Sequence, residues 1–410
     1  MTPQHALRRF VAMRHESQAR FLGSLVKIPS DNPPGNCKPH AEAAARLLEQ
    51  LGFAVERCPV PERLVRDAGM VSAMNLIVRE RFGDGPTIAL NAHGDVVPPG
   101  LGWTTDPYGA EIRDGTMYGR GVAVSKSDFA TYAFALLALK ASGARLRGSV
   151  ELHFTYDEEA GGEIGPKWLL DQGLSKPDYA ICAGFAYGIT TAHNGCLHLE
   201  VEVIGKSAHA ARPDTGSDAL EAAAGIISGL YALRKTYARQ RSQTPGIESP
   251  TLVIGLISGG INTNVVPDNV KFRIDRRIIP DEDPHAVERD LVQELMKFSA
   301  SWPGIQCRVS RVLLAKPLTP VAGQERLVAA IRRNAREVLG EAIEPQGVPL
   351  YTDARHYSGA GIPTVLYGAG PRTLEEANGH RADEKLGLDD LYKATEVIAL
   401  SLLDLLGALD

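Results

Sequence analysis

Two short apolar runs in this chain each end abruptly in ligand-type side chains. Thr87 to Asn91 leads into His93-Gly-Asp95, and Ser149 to Tyr156 leads into Asp157-Glu158-Glu159 followed by Gly161-Gly162. Runs of this length read as strands, and a helical pattern at about Asp128 to Ala141 stands between them. Strands alternating with helices predict an α/β sheet covered on both faces, with its chemistry at the carboxyl ends of the strands.

At such an edge His93 presents an imidazole, and Asp95 can orient the ring, fix its tautomer and raise its basicity. The alternative is a turn with a solvent-facing histidine and a helix-capping aspartate. Three adjacent carboxylates repel one another, so they persist when exposed or when a cation collects them. In a hydrolase one such carboxylate binds metal while its neighbour takes a proton from water; otherwise the run is a solvated acidic turn.

Other patterns extend the layout. Helices are expected at about Pro3 to Val26, His40 to Leu51 and Asp389 to Leu406, with strands at Phe53 to Cys58 and Met74 to Arg79. Phe82-Gly-Asp-Gly85 reads as a hairpin turn joining Met74 to Arg79 with Thr87 to Asn91. From Cys196 the texture changes to strict alternation, with Leu197, Leu199, Val201 and Val203 on one face, as in a half-solvated antiparallel strand. A smaller α+β unit starts there. It takes in a helix at about Ser217 to Ala238, strands at Thr251 to Ile257 and Asn269 to Ile279, and a helix at Pro284 to Phe298. Residues 195–314 thus read as an insertion between two parts of the larger domain, 1–194 and 315–410.

Bulk properties narrow the function. A chain of 410 residues exceeds one compact core, and a net charge of -5 supplies no basic field for nucleic acid. Charged residues interrupt the first 28 positions, and no apolar run approaches membrane-spanning length. The five cysteines are scattered, with no CxxC pair, which points away from disulfides or structural zinc and toward a reducing cytoplasm.

Further motifs follow in order: Ile28-Pro-Ser30 with Asn32-Pro-Pro-Gly35, Trp103 with Asp106-Pro107, Gly119-Arg-Gly121, Gly205-Lys-Ser-Ala-His209, Asn264-Val-Val-Pro267, Thr352-Asp-Ala-Arg355, and His380 followed by Glu384. With the His93 and Glu158 motifs, they make the chain resemble, over nearly its whole length, the zinc-dependent family of aminoacylase, acetylornithine deacetylase, succinyl-diaminopimelate desuccinylase and glutamate carboxypeptidase. The resemblance implies a mixed-sheet α/β/α catalytic domain with an inserted lid or dimerisation domain. It also implies His93, Glu159 and His380 as metal ligands, Glu158 as general base with Asp95 supporting the site, His209 as oxyanion stabiliser, and Asn264 and Arg355 as substrate contacts. A planar guanidinium such as that of Arg355 suits a substrate carboxylate. Arg277 is a further substrate contact to test, although its strand could use it as a solvated face.

Two family ligands do not carry over. The bridging aspartate falls at Val124, and a second acid falls at Gly184 or Phe185. Realignment finds no acid between Asp114 and Asp128 or between Asp178 and Glu200. Two divalent ions held close together need bridging anions, so the expectation is one divalent metal per chain, whether zinc, manganese, cobalt or iron. Asp128 and Cys182 are the possible substitutes, against an N-cap role for the first and an inert buried thiol for the second. His193 and His198 read as structural, and His356 could line the pocket. The function implied is hydrolysis of an amide-type C–N bond in a small carboxylate-bearing substrate such as an N-acyl amino acid or dipeptide, by a cytoplasmic homodimer. Alternatives are an aminohydrolase acting on a non-peptide amine, or a non-catalytic relative that binds a small ligand.

Overall fold

In the computed structural model, which describes residues 2–407, the chain forms two compact units. The first runs to Thr191 and includes Pro320–Gln346 and the chain from Thr352 onward; the second comprises Ala192–Thr319 and Gly347–Tyr351.

An eight-stranded mixed sheet has the order Val55–Pro59, Met74–Arg81, Ser149–Thr155, Thr87–His93, Tyr179–Cys182, Thr364–Leu366, Ile189–His193, Pro345–Val348. Its central strands, from Ser149–Thr155 to Thr364–Leu366, pair in parallel. Both faces of such strands are covered, so that even the polar Asn91, Glu151 and His153 are buried. The expected hairpin at 82–85 is absent, because Ser149–Thr155 lies between the two strands it would have joined and pairs with both. Turn residues report a reversal of the chain, not which strands then pair.

The helix Lys126–Ala141 is buried almost all round, as an apolar helix with no polar stripe must be. It packs between the helices Pro3–Val26 and Leu388–Leu406 and against the strands Thr87–His93 and Ser149–Thr155. Phe129 stacks on Phe154 with ring centroids 3.9 Å apart. Gly94 follows because of this packing: a Cβ there would lie 2.5 Å from the Tyr156 ring and 3.1 Å from Phe129. Core packing therefore dictates the turn between His93 and Asp95.

The second unit holds an antiparallel sheet in the order Thr251–Gly259, Asn269–Ile278, Gly195–Ile204, Gln306–Ala315. The helices Ala219–Tyr237 and Pro284–Ser299 join its core, which is built on Leu197, Leu199, Val201 and Val203. Cys196, His198, Glu200 and Glu202 alternate onto the opposite face, as period two requires. All five cysteines are free thiols. Among the described residues no helix is long and apolar enough to cross a membrane.

Candidate active site

The strands Thr87–His93 and Ser149–Thr155 are parallel neighbours with His93 opposite Thr155, so their carboxyl ends emerge side by side. This brings His93 together with Glu158 and Glu159, whose donor atoms all lie within 4.8 Å of one another. Asp95 is fully buried and holds the arrangement. Its carboxylate accepts from the backbone N–H groups of Glu158 (3.3 Å) and Glu159 (3.1 Å) and from Asn32 Nδ2 (3.0 Å). The His93 ring makes its nearest contact with the Asp95 main-chain carbonyl, 2.9 Å from Nδ1, while the carboxylate Oδ1 stands 3.4 Å away. A carbonyl only accepts, so Nδ1 carries a proton, and Nε2 faces Glu158 Oε2 at 3.8 Å.

His380 Nε2 lies 3.3 Å from Glu159 Oε1. Its backbone is left-handed (φ 61°), a conformation uncommon outside glycine that surrounding structure must enforce. The charges are tightly coupled. Burial opposes protonation of His93, but Glu158, Asp95 and Glu159 outweigh it and raise its pKa well above the ordinary value. Burial, with Glu159 and Asp95 nearby, pushes Glu158 up to about 8 against the pull of His93 and Arg355. Two imidazoles facing two carboxylates form a donor set that fits a divalent cation.

Matching of residues 89–404 to the model of peptidase family M20/M25/M40 fits this geometry. The chain belongs to that family. It is 30% identical to an acetylornithine deacetylase from Myxococcus xanthus over 368 residues, which cover 88% of this chain and 90% of the relative. The fold is similar to that of the di-peptidase Dug1p from Saccharomyces cerevisiae (TM-score 0.78, 16% identity, 98% of both chains). It is also similar to the YXEP protein of Bacillus subtilis, described as a dinuclear metal-binding peptidase (TM-score 0.68, 18% identity, 96% of this chain and 99% of that one). As a member of the family, the chain is a metallohydrolase.

At Val124, and at Gly184 as one of the two positions where the second acid falls, the backbone is held by buried neighbours. Glu384 is buried and takes hold of the loop carrying Val124: Oε1 accepts from the N–H groups of Ala123 (3.0 Å) and Val124 (3.2 Å). Its Oε2 accepts from Gly121 N–H at 3.2 Å and from Arg120 Nη1 at 2.6 Å. The strand Lys385–Gly387 pairs with Thr116–Tyr118 and so delivers Glu384 to this loop. At Gly184 a Cβ would lie 2.8 Å from the backbone nitrogen of Tyr367 and 2.9 Å from the carbonyl carbon of Leu366, so the position has no room for any side chain.

Neither possible substitute joins the His93 group. Asp128 is not the N-cap of its helix, which is Ser125; its carboxyl instead accepts from the N–H groups of Ala369 (2.7 Å) and Gly184. Cys182 pairs with Asn91 on the neighbouring strand, and burial, reinforced by Asp353, raises its pKa well above that of an ordinary thiol.

Arg355 is buried. Its Nη1 donates to the Thr352 carbonyl at 2.8 Å and its Nη2 to the Gly161 carbonyl, which braces the turn carrying Glu158. His356 and Asp353 both lie against Gly162, whose φ of 71° suits glycine. Ser125 anchors the His93 backbone by donating to its carbonyl (3.0 Å) and accepting from its N–H (3.1 Å).

His209, Asn264 and Arg277 belong to the second unit. His209 pairs with Val265 across a short bridge, and Ala210 N–H donates to the Asn264 carbonyl at 3.0 Å, so His209 and Asn264 are neighbours. Nδ1 of His209 accepts from Ala211 N–H at 3.1 Å, which leaves the proton on exposed Nε2. Arg277 is clamped by Asp275 through Nε (3.0 Å) and Nη2 (3.2 Å). His193 is buried, with Nδ1 2.8 Å from the Asn194 carbonyl.

Sequence reasoning gave Glu384 and Asn32 no role, although both stood inside quoted motifs. A motif marks a residue without saying whether its side chain faces substrate or backbone.

Proposed function

We propose that this chain hydrolyses an amide-type C–N bond in a small carboxylate-bearing substrate, such as an N-acyl amino acid or dipeptide, with a single divalent cation held by His93, Glu159 and His380. The observation carrying this reading is the complete His93–Glu158–Glu159 group, joined by His380, set against a valine at 124 and the lack of an acid at Gly184 or Phe185. When bound, the cation supplies Lewis acidity and lowers the pKa of water at the site.

Glu158 is the general base: its carboxylate takes the proton of the attacking water and delivers it to the leaving nitrogen. Asp95 positions Glu158 and Glu159 through their main-chain N–H groups and His93 through its carbonyl. His209, with its proton on Nε2, is the donor that stabilises the oxyanion and Asn264 contacts the substrate, while Arg355 would have to release the Thr352 or Gly161 carbonyl to do so. Arg277 would have to exchange Asp275 for a substrate carboxylate to join them. The second unit is the dimerisation element in this reading. Its edge strand Thr251–Gly259 exposes Val253, Leu256 and Ile257, an apolar edge that monomers normally avoid.

The test is metal analysis together with a substrate screen over acyl amino acids, dipeptides and aryl amines after loading with zinc, manganese, cobalt or iron(II). About one ion per chain is expected. Glu158→Gln should retain that ion and lose roughly 10²–10⁴-fold in turnover. Absence of metal under every loading condition would sink the single-cation hydrolase reading and leave a small-ligand binder. Mixing His209→Ala with Glu158→Ala chains should restore activity if His209 acts across a dimer.

A further inference from the structure

On the helix-free face of the second unit's sheet, Cys196, His198 and Asp275 converge. Cys196 and His198 are two residues apart on Gly195–Ile204 and so share a face, and His198 lies directly opposite Asp275 on Asn269–Ile278. Asp275 faces both: its Oδ1 accepts from Cys196 Sγ at 3.6 Å, and its Oδ2 lies 3.3 Å from His198 Nε2. One donor atom from each residue lies within 4.8 Å of the other two. Among the described residues only this group and the His93 group meet that condition.

We propose that Cys196, His198 and Asp275 form a second metal site, a sulfur, nitrogen and oxygen triad for one Zn²⁺ or Co²⁺ ion. Borderline metals favour this mixture of thiolate, imidazole and carboxylate, whereas magnesium and calcium prefer oxygen alone. Three protein ligands leave a fourth position to solvent, so the ion is exchangeable rather than a closed structural centre. A cation already occupies the carboxylate: Arg277 grips both oxygens of Asp275, with its guanidinium 5.4 Å from the Tyr351 ring centroid. The entering ion displaces that guanidinium, which keeps Tyr351 beside it. Cys196 gives up its thiol proton to solvent as it binds, so one proton is released per ion and affinity rises with pH. His198, partly exposed, lies on the open side of the group, whereas Cys196 is buried. The ion would link the two central strands of this sheet, and Arg277 would compete with it.

The experiment is a cobalt titration of the full chain carrying His93→Ala and Glu159→Ala, which disables the first metal site. The readout is the near-ultraviolet thiolate-to-cobalt charge-transfer band, which a site of histidines and carboxylates cannot give. The expected result is a saturable band at about one cobalt per chain. The band should be lost in Cys196→Ser and retained in Cys182→Ser. Its midpoint should weaken in His198→Ala and Asp275→Asn by at least the roughly 10–100-fold that follows loss of an outer-shell partner, and should tighten in Arg277→Gln. Absence of a band, or a band that survives Cys196→Ser, overturns the proposal. Should Cys196→Ser fail to fold, Asp275→Asn decides with the thiol intact, and an undiminished cobalt affinity overturns it equally.

Discussion

Around His93 and around Val124 the backbone is held by the same device, a buried carboxylate that collects main-chain N–H groups. Asp95 takes those of Glu158 and Glu159; Glu384 takes those of Gly121, Ala123 and Val124. A third buried acid, Asp128, ties Gly184 to Ala369. The first carboxylate presents two ligand-type side chains on the turn it organises, whereas the other two organise turns that present a valine and a glycine. The loops carrying Val124 and Gly184 are therefore held by buried carboxylates, as the turn carrying Glu158 and Glu159 is.

The largest effect expected from testing this symmetry is at Glu384. Arg120 and Glu384 are each about 1% exposed and form a buried ion pair. Glu384→Gln leaves the Arg120 charge without its partner, and a cost of about 3–5 kcal/mol is expected in urea unfolding. A loss no greater than the ~1 kcal/mol of an exposed pair would show that the loop around Val124 is not held as the loop around Glu158 is. Gly184→Ala comes next. Its Cβ would meet backbone atoms of Tyr367 and Leu366 at 2.8–2.9 Å, an overpacking expected to cost roughly 1–3 kcal/mol. Val124→Asp should then leave the metal content at the parent level, because neither Gly184 nor Phe185 supplies the opposite acid. A second equivalent of metal in Val124→Asp alone would break the comparison.

How much of this could be read in the sequence depended on where each side chain sends its polar atoms. Strand-end placement of His93 and Glu159 was legible, because apolar runs stop at ligand-type residues and parallel pairing then sets the ends side by side. The alternation of Leu197, Leu199, Val201 and Val203 likewise announced a one-sided sheet. Glu384 and Asp128 were not legible in their roles, since both act on N–H groups brought from distant segments, and a sequence shows no register between loops. The false hairpin at 82–85 failed for the same reason: the strand that separates its arms comes more than sixty residues later. His198 read as structural because its partner Asp275 lies on a strand whose pairing no local pattern reveals.

The effect that depends on pH is the one most specific to the loops around Val124 and Gly184. Burial holds the Asp128 carboxyl up at about 7, against the pull of the Ala369 and Gly184 N–H groups and of His93, compared with an ordinary value of 3.8. The shift is opposite in sign to that of a salt-bridged aspartate. Between pH 3.8 and about 7 the folded chain keeps a proton that the unfolded chain has released, so this group's contribution is complete at the acid end and declines as pH rises through the window. Asp128→Asn supplies a neutral side-chain oxygen in the same place and has no proton to lose. Its unfolding free energy, followed by urea titration at several pH values, should fall less steeply from pH 4 to 7 than that of the parent, with the two curves diverging toward pH 7 in favour of the variant. Parallel curves would mean that Asp128 is ionised throughout. It would then be an anion balanced by the two N–H groups and the His93 charge, and the loops around Val124 and Gly184 would keep a negative charge available to a second cation after all.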